Sequence, residues 1–367
     1  MMNALINLYV CLSNILGGSS MKGLSVKVLS MFLAILMFLA VGCNNASAPN
    51  NQQGNDSQKG DSKDVRTIQV GHVNPSKEDD QFQKYGTLFK KNLEEISGGK
   101  FVVEVMGDAQ LGGDRDMMEG LQMGTLDMGL ISNFSIGLFS PVYQVFNLPY
   151  LFETTDQASA IFDNKEIMKP LVDELYNSCN IQLLSMTDGG FRYMLNNKRP
   201  IKTVEDLKGL KMRLPETPTY VDSFKAWAAN PTTMAYTETF AAVQQGTVDG
   251  LEIPLGSILS SGYHEINKYL SMTEHFYLPV GVMASKNVWD SLSDEEKGWF
   301  NEAAEKTTVE HRVFMEKIQA SYLEEIKKSG IEVNDVNDKS EFRKAAQPVY
   351  DKYIAEFGSE IVDLISK

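Results

Sequence analysis

Between Ser293 and Gly330 the chain carries one nearly continuous helical pattern, with Phe300, Ala303, Thr307, Phe314, Ile318, Tyr322 and Ile326 close to one face. Ser293 with Glu296 forms a capping box at its start, and Gly330 supplies the stop. Roughly 36 residues at 1.5 Å each give a helix near 54 Å. That exceeds the width of a lobe of about 120 residues, whose radius of gyration is about 14 Å. A helix this long is expected to run across two lobes and limit their relative motion. The competing reading is two helices broken at Thr307–Thr308, where β-branched side chains stiffen the chain. The length of 367 residues independently favours two domains.

Around that helix the pattern alternates strands with helices. Ile68–Val73, Phe101–Met106, Leu126–Ser132 and Ile181–Thr187 read as strands. Asp80–Ser97, Asp114–Met123, Thr155–Phe162 and Lys165–Ser178 read as helices. This is α/β patterning, with largely parallel strands expected. A weak repeat strengthens the two-lobe reading. Met117–Ile131 aligns without gaps on Thr239–Ile253, with Gln122/Gln244, Gly124/Gly246, Thr125/Thr247, Asp127/Asp249 and Ile131/Ile253 identical. Both copies read as helix, glycine stop, tight turn and strand. Two such units imply two α/β lobes, each presenting a strand end to a shared cleft.

The N-terminus reads as an export signal. Lys22 and Lys27 precede the apolar run Val28–Gly42, which ends at Cys43 and is too short to span a bilayer comfortably. Small residues before that cysteine, with Ala40 three before it, match a bacterial lipoprotein cleavage box, although the usual leucine is absent. Met21 is a plausible true start. Residues 44–64 contain no large apolar side chain and read as a flexible tether. The expectation is a domain held at the outer face of a membrane by lipid on Cys43. Beyond that point Cys179 is the only cysteine, so no disulfide or thiol pair can form within the domain.

Net charge is −14, from 34 basic and 48 acidic side chains. Such a surface repels polyanions and argues against nucleic acid as a partner. It also makes the few well-placed arginines informative. Arg213 lies on the short strand KMRL, which ends at Pro215, and a second short strand, DGLEIP, ends about forty residues later. Strand ends that open onto helix starts hold small ligands in α/β sheets. An arginine fork there suits a carboxylate. No catalytic constellation accompanies it. His72, His264, His275 and His311 are scattered without metal-ligand spacing, and no nucleophile elbow, Walker loop or dinucleotide fingerprint is present. The segment Gly112–Asp116 is too short and acidic to cradle phosphate. Neither a metal, a cofactor nor an enzymatic activity is expected.

Four segments then point to a family: Ile96–Ser132, Phe146–Phe152, Asp206–Pro215 and Asn230–Leu255, the last reading NPTTMAYTETFAAVQQGTVDGLEIPL. In content and order they resemble the solute-binding proteins of tripartite ATP-independent periplasmic (TRAP) transporters, the DctP family, from about Ile68 to the C-terminus. The resemblance implies a two-lobed periplasmic-binding-protein-like fold spanned by a long helix. It assigns 66–189 with 279–318 to one lobe, and 190–278 with 319–367 to the other. It implies that Arg213 holds the carboxylate of a small organic acid, that Arg192 is a second basic position near it, and that Tyr236 is an aromatic wall. Ser132 and Asn133 are candidate hydrogen-bond donors, and Glu216 a candidate acceptor. Many relatives place an asparagine where Ile253 stands, which weakens a default assignment to four-carbon dicarboxylates and leaves hydroxy-, keto- and sugar acids open. The implied partner is a membrane permease driven by an ion gradient. A sensor reporting to a membrane kinase and a secreted enzyme acting on an organic acid are the alternatives.

Overall fold

The first unit forms where its caps and apolar periods place it. In this computed structural model, which describes residues 65–365, β1 (Arg66–Gly71) is followed by α1 (Gln81–Ile96). The Asp80 carboxylate fixes the start of α1 by accepting from the backbone N–H of Phe82 at 2.8 Å and of Gln83 at 3.2 Å. Then come β2 (Phe101–Met106), α2 (Asp114–Met123), β3 (Met128–Ser132), α3 (Asn133–Phe139), α4 (Thr155–Phe162) and α5 (Lys165–Cys179). The second unit comprises β5 (Lys211–Leu214), α6 (Pro218–Ala226), β6 (Asn230–Thr233), α7 (Tyr236–Gln244), β7 (Gly250–Pro254), α8 (Leu255–Ser260) and α9 (Tyr263–Ile266). Two long strands, β4 (Ile181–Asn196) and β8 (Tyr269–Ser285), tie the units together.

The sheet is mixed rather than largely parallel. Its order is β2-β1-β3-β8-β4-β7-β5-β6, with β9 (Glu332–Asp335) on β8. Within each unit the short strands pair in parallel, β1 with β2 and β3, and β5 with β6 and β7. The long strands run antiparallel to each other and to their neighbours β3 and β7. Periodicity read β4 only as far as Thr187 because Asp188, Gly189 and Gly190 interrupt the apolar alternation. The strand continues through them with a register shift between Asp188 and Phe191, opposite Pro279 of β8. Gly190 takes φ +85°, and its N–H donates to Asp188 Oδ1 at 2.7 Å. A proline and a left-handed glycine at the same level are the devices of a bulge.

After α10 (Lys286–Ser291) the long helix α11 runs unbroken over Asp294–Lys328, about 52 Å at 1.5 Å per residue. Ser293 and Glu296 make the capping box. Thr307 and Thr308 do not interrupt it, because their hydroxyls have partners off the helix. Thr307 accepts from Asn92 at 2.9 Å, and Thr308 donates to Ser185 at 3.0 Å. Its first half buries Phe300, Ala303 and Ala304 against β1, β2 and β3 residues, and its second half buries Tyr322 and Ile326 with Leu251, Ile253 and Ile258. The helix therefore belongs to both cores. His311 sits between them, with Nε2 at 2.8 Å from Gln81 O and Nδ1 at 2.9 Å from the Thr187 hydroxyl.

The C-terminal helices depart from the expected division. In α12 (Ser340–Ala345) Phe342 joins the core of Trp227 and Phe224, as an element of the second lobe should. Val349 and Tyr353 of α13 (Gln347–Phe357), and Val362 and Ile365 of α14 (Glu360–Ile365), instead pack with Tyr143, Phe146 and Phe162. The chain crosses back because its apolar residues there complete the first core. Among the described residues no helix is long and apolar enough to cross a membrane.

Candidate functional site

The C-terminal ends of β3 and β7 meet in the middle of the molecule. The side chains around them enclose a void of about 20 Å³, about the room one water needs. Its polar walls are Asn74, Asp114, Ser132, Arg192, Arg213, Tyr236 and Ser257, and its apolar walls include Phe134, Ile253 and Leu278. An organic acid enters only if the walls part.

The two arginines differ in one decisive way. Arg192, on β4, is buried and clasped by Glu252 of β7. Its Nη2 donates to Oε1 at 2.8 Å and to the Glu252 carbonyl at 3.0 Å, and its Nε donates to Oε2. Burial works against the charge on Arg192, and the Glu252 carboxylate more than offsets it. Burial likewise disfavours the Glu252 anion, but Arg192 and His275 hold that carboxyl below its usual range. His275 Nε2 stands 3.6 Å from Glu252 Oε2, and its Nδ1 is 2.8 Å from the Thr273 hydroxyl. The guanidinium of Arg192 lies over the rings of Phe134 and Tyr220, 5.6 and 5.7 Å from their centroids.

Arg213, on β5, is 2 % exposed. Its Nε and Nη2 both donate to Met234 O, at 3.2 and 2.7 Å. Among the described residues no carboxylate lies within ion-pair distance of it. Burial pushes this guanidinium below the ordinary arginine value, with Glu252 partly opposing the shift. A buried cation whose only acceptor is a backbone carbonyl is expensive to keep unless something else supplies the negative charge.

The other expected residues divide. Tyr236 opens α7, faces the void and bonds Ser261 through its hydroxyl at 2.6 Å. Ser132 ends β3, and its N–H donates to Asp114 Oδ1 at 3.4 Å. Ile253 is a buried apolar wall. Asn133 is not a wall. Its side-chain amide turns the other way, donating to Tyr143 O at 3.0 Å and Asn147 Oδ1 at 2.9 Å. Glu216 is also outside; its side chain is 49 % exposed and meets Arg115 at 3.5 Å. The acid next to the Arg213 strand is thus directed to solvent. Cys43 lies outside the described residues.

Sequence reasoning missed Asp114 and Glu252. Asp114 stood in the segment dismissed as too acidic for phosphate, and Glu252 was read only as part of the strand. The usable signal was adjacency, since Glu252 lies on the strand that ends the repeat and Asp114 opens the helix on which the repeat begins. Other polar contacts fasten the first unit to α8. Asn74 Nδ2 donates to Ser257 at 3.0 Å, Ser260 donates to Asp80 Oδ2 at 2.8 Å, and Lys77 Nζ donates to Ser260 O at 2.7 Å. Among the described residues no group of three metal-binding side chains comes together.

Residues 70–356 match the model of bacterial extracellular solute-binding protein, family 7, also named DctP. The chain belongs to this family. It is similar to a TRAP periplasmic solute-binding protein of Polaromonas sp. JS666 solved with D-erythronate, at 35 % identity and a TM-score of 0.78, covering 82 % of this chain and 98 % of that one. A TRAP periplasmic solute-binding protein of Bordetella, with density assigned to pantoate, matches at the same identity, TM-score and coverage. The C4-dicarboxylate-binding protein of Bacillus subtilis is 30 % identical over 345 residues, 93 % of this chain and 97 % of that protein. Family 7 proteins bind solutes for transporters and are not enzymes.

Proposed function

We propose that this family 7 protein captures a small organic acid between its two units, pairs the acid's carboxylate with Arg213, and delivers it to a TRAP-type membrane permease. The reading rests on one observation: Arg213 is a buried guanidinium with no carboxylate within ion-pair distance among the described residues. A ligand carboxylate supplies the missing charge, in a dry site where a charge-assisted fork is strong. Arg192, already neutralised by Glu252, positions the wall rather than competing for the anion. Tyr236, Ser132 and Ile253 shape the remainder.

Entry requires opening, and the bulge at Asp188–Phe191 opposite Pro279 is the hinge of this proposal. The contacts from Asn74, Lys77 and Asp80 to α8, and the exposed Arg115–Glu216 pair, would break on opening and reform around bound acid. Shifting such an equilibrium from 1:99 to 99:1 takes about 5.5 kcal/mol of differential affinity. A buried ion pair plus ligand surface supplies energy of that order. Lipid on Cys43 with the polar tether 44–64 would keep the protein at the outer face of the membrane beside the permease.

The test is a thermal-shift screen of organic acids on the purified protein and on Arg213→Met. A ligand at 100 times its Kd adds about 2.7 kcal/mol. The hit compound is expected to raise the wild-type midpoint and leave the variant's unmoved. An undiminished response in Arg213→Met removes Arg213 from the site.

A further inference from the structure

Two charged side chains line the void without an ion pair among the described residues, the Arg213 guanidinium and the Asp114 carboxyl. Arg213 comes from β5 of the second unit, and Asp114 from the first turn of α2 in the first. Asp114 is 8 % exposed. Ser132 is its hydrogen-bond partner, the N–H reaching Oδ1 only at 3.4 Å, and no lysine or arginine among the described residues lies within ion-pair distance. Arg192, which shares the void, is already matched by Glu252. The rest of the lining includes the apolar Phe134, Ile253 and Leu278 and the neutral polar Asn74, Ser132 and Ser257.

We propose that Asp114 sets the ligand class, admitting a monocarboxylate that carries a hydroxyl at its far end and rejecting the dicarboxylate of the same length. This rests on the reading that Arg213 takes the ligand's carboxylate. With one end fixed there, the far end lies against Asp114. A hydroxyl donates to the Asp114 carboxylate, a charge-assisted bond of the strong kind. A second carboxylate would place two anions side by side in a site that excludes water. Like charges so placed cannot both stay ionised without penalty, and the nearest positive charge, Arg192, is spent on Glu252. Ile253 offers nothing to a second carboxylate either, since an alkyl side chain cannot donate.

Burial also pushes the Asp114 carboxyl up to about 6, with Ser132, Arg192 and Arg213 opposing. At pH 8 it is therefore an anion in the wild-type protein, which is where discrimination should be read.

The experiment uses pairs of acids that differ only in the terminal group: D-erythronate with meso-tartrate, gluconate with glucarate, and galactonate with galactarate. Calorimetric affinities are measured at pH 8 on the purified protein, on Asp114→Asn and on Arg213→Met. The wild type is expected to favour the hydroxyl member of the best-bound pair by at least 100-fold. Asp114→Asn removes the charge while keeping the shape, and should bring that ratio below tenfold, which a merely structural role would not do. Arg213→Met should lose both members. If the wild type binds any dicarboxylate as tightly as its partner, or binds neither member of every pair, the assignment of Asp114 is overturned; this arm needs no variant to fold. A dicarboxylate that binds wild type as tightly as its hydroxyl partner and is lost from Arg213→Met would overturn the Asp114 role alone and leave the carboxylate role of Arg213 standing.

Discussion

Set 122 residues apart, the two units share a frame and differ at its end. Asp127 Oδ2 accepts from the N–H of Gln69 on β1 at 2.9 Å, and Asp249 Oδ2 accepts from the N–H of Lys211 on β5 at 2.9 Å. Gly124 and Gly246 both take positive φ, at +70° and +72°. Two residues beyond each tethered N–H the units part. The first has Gly71, opposite Gly129, where an added Cβ would strike Met117 at 2.8 Å; the second has Arg213, opposite Leu251. On the following strands Leu130 corresponds to Glu252, and Ser132 to Pro254, at the same offset. The same arrangement of turn and strand thus carries Gly71 and Leu130 in one half and Arg213 and Glu252 in the other. The frame makes the strand ends converge, and the departures from it make the site.

The largest test of that comparison exchanges a departure for its counterpart. Glu252→Leu copies the Leu130 position and strands Arg192 as a buried charge without a partner. Removing one member of a buried pair costs about 3–5 kcal/mol. Urea denaturation should show a loss in that range. Replacing both residues, Arg192→Leu with Glu252→Leu, should restore much of it, because apolar substitutes for a whole buried pair are often neutral. A single variant as stable as wild type would mean that the pair is not what holds β4 to β7 at the site.

Much of this was legible before any coordinates. Caps and periods placed α1, α2, α4, α5 and the ends of α11, since those signals are local. The repeat located both cleft-facing strand ends, and the KMRL strand located Arg213. The mixed sheet was not legible, because Gly189, Gly190 and Pro279 mask two strands that persist through them. Asn133 and Glu216 lie off the void for a related reason. Adjacency in sequence to a site residue does not fix which way a side chain turns, and Asn133 had a better set of partners in Tyr143 and Asn147. Asp114 and Glu252 become informative only once their surroundings are known to be closed. The final helices return to the first core through contacts some 200 residues distant in sequence, such as Gln157 to Ile365 O at 2.8 Å, which no local pattern encodes.

The seam between the units gives the next effect. His311 lies where α11 passes from one core to the other, and burial lowers its imidazole to about 4, with Arg312 and Lys84 adding to the shift and the bond to Gln81 O opposing it. Gln81 O can only accept, so Nε2 carries the proton and Nδ1 accepts from Thr187. The unfolded chain, near 6.5, binds more protons than the folded one between those values. Stability is therefore full above about pH 6.5 and is lost as pH falls toward 4, by about 3 kcal/mol. Chemical denaturation of wild type across that window should show the loss, and His311→Gln, which cannot take up the proton, should flatten it. An equal acid loss in the variant would place the titration elsewhere, in one unit and not at the junction.

The smallest effect tests whether the shared frame is mechanical or only apparent. Asp127 and Asp249 each hold a neighbouring strand by one carboxylate bond to a backbone N–H, and both are half-buried. A hydrogen bond to a charged group contributes about 1.5–3 kcal/mol when buried, so partial exposure brings each to about 1–2 kcal/mol. Asp249 also meets Lys198 at 3.3 Å, a partly exposed pair that adds about 1 kcal/mol or less. Asp127→Ala and Asp249→Ala should therefore destabilise by nearly the same amount, the second slightly more, and high salt should remove the excess. Equal losses would mean that the two turns bear equal strain in positioning β3 and β7. If Asp127→Ala were silent while Asp249→Ala cost 2 kcal/mol or more, the first unit would be held by its apolar packing alone. The tether would then matter only beside the strand that carries Arg213.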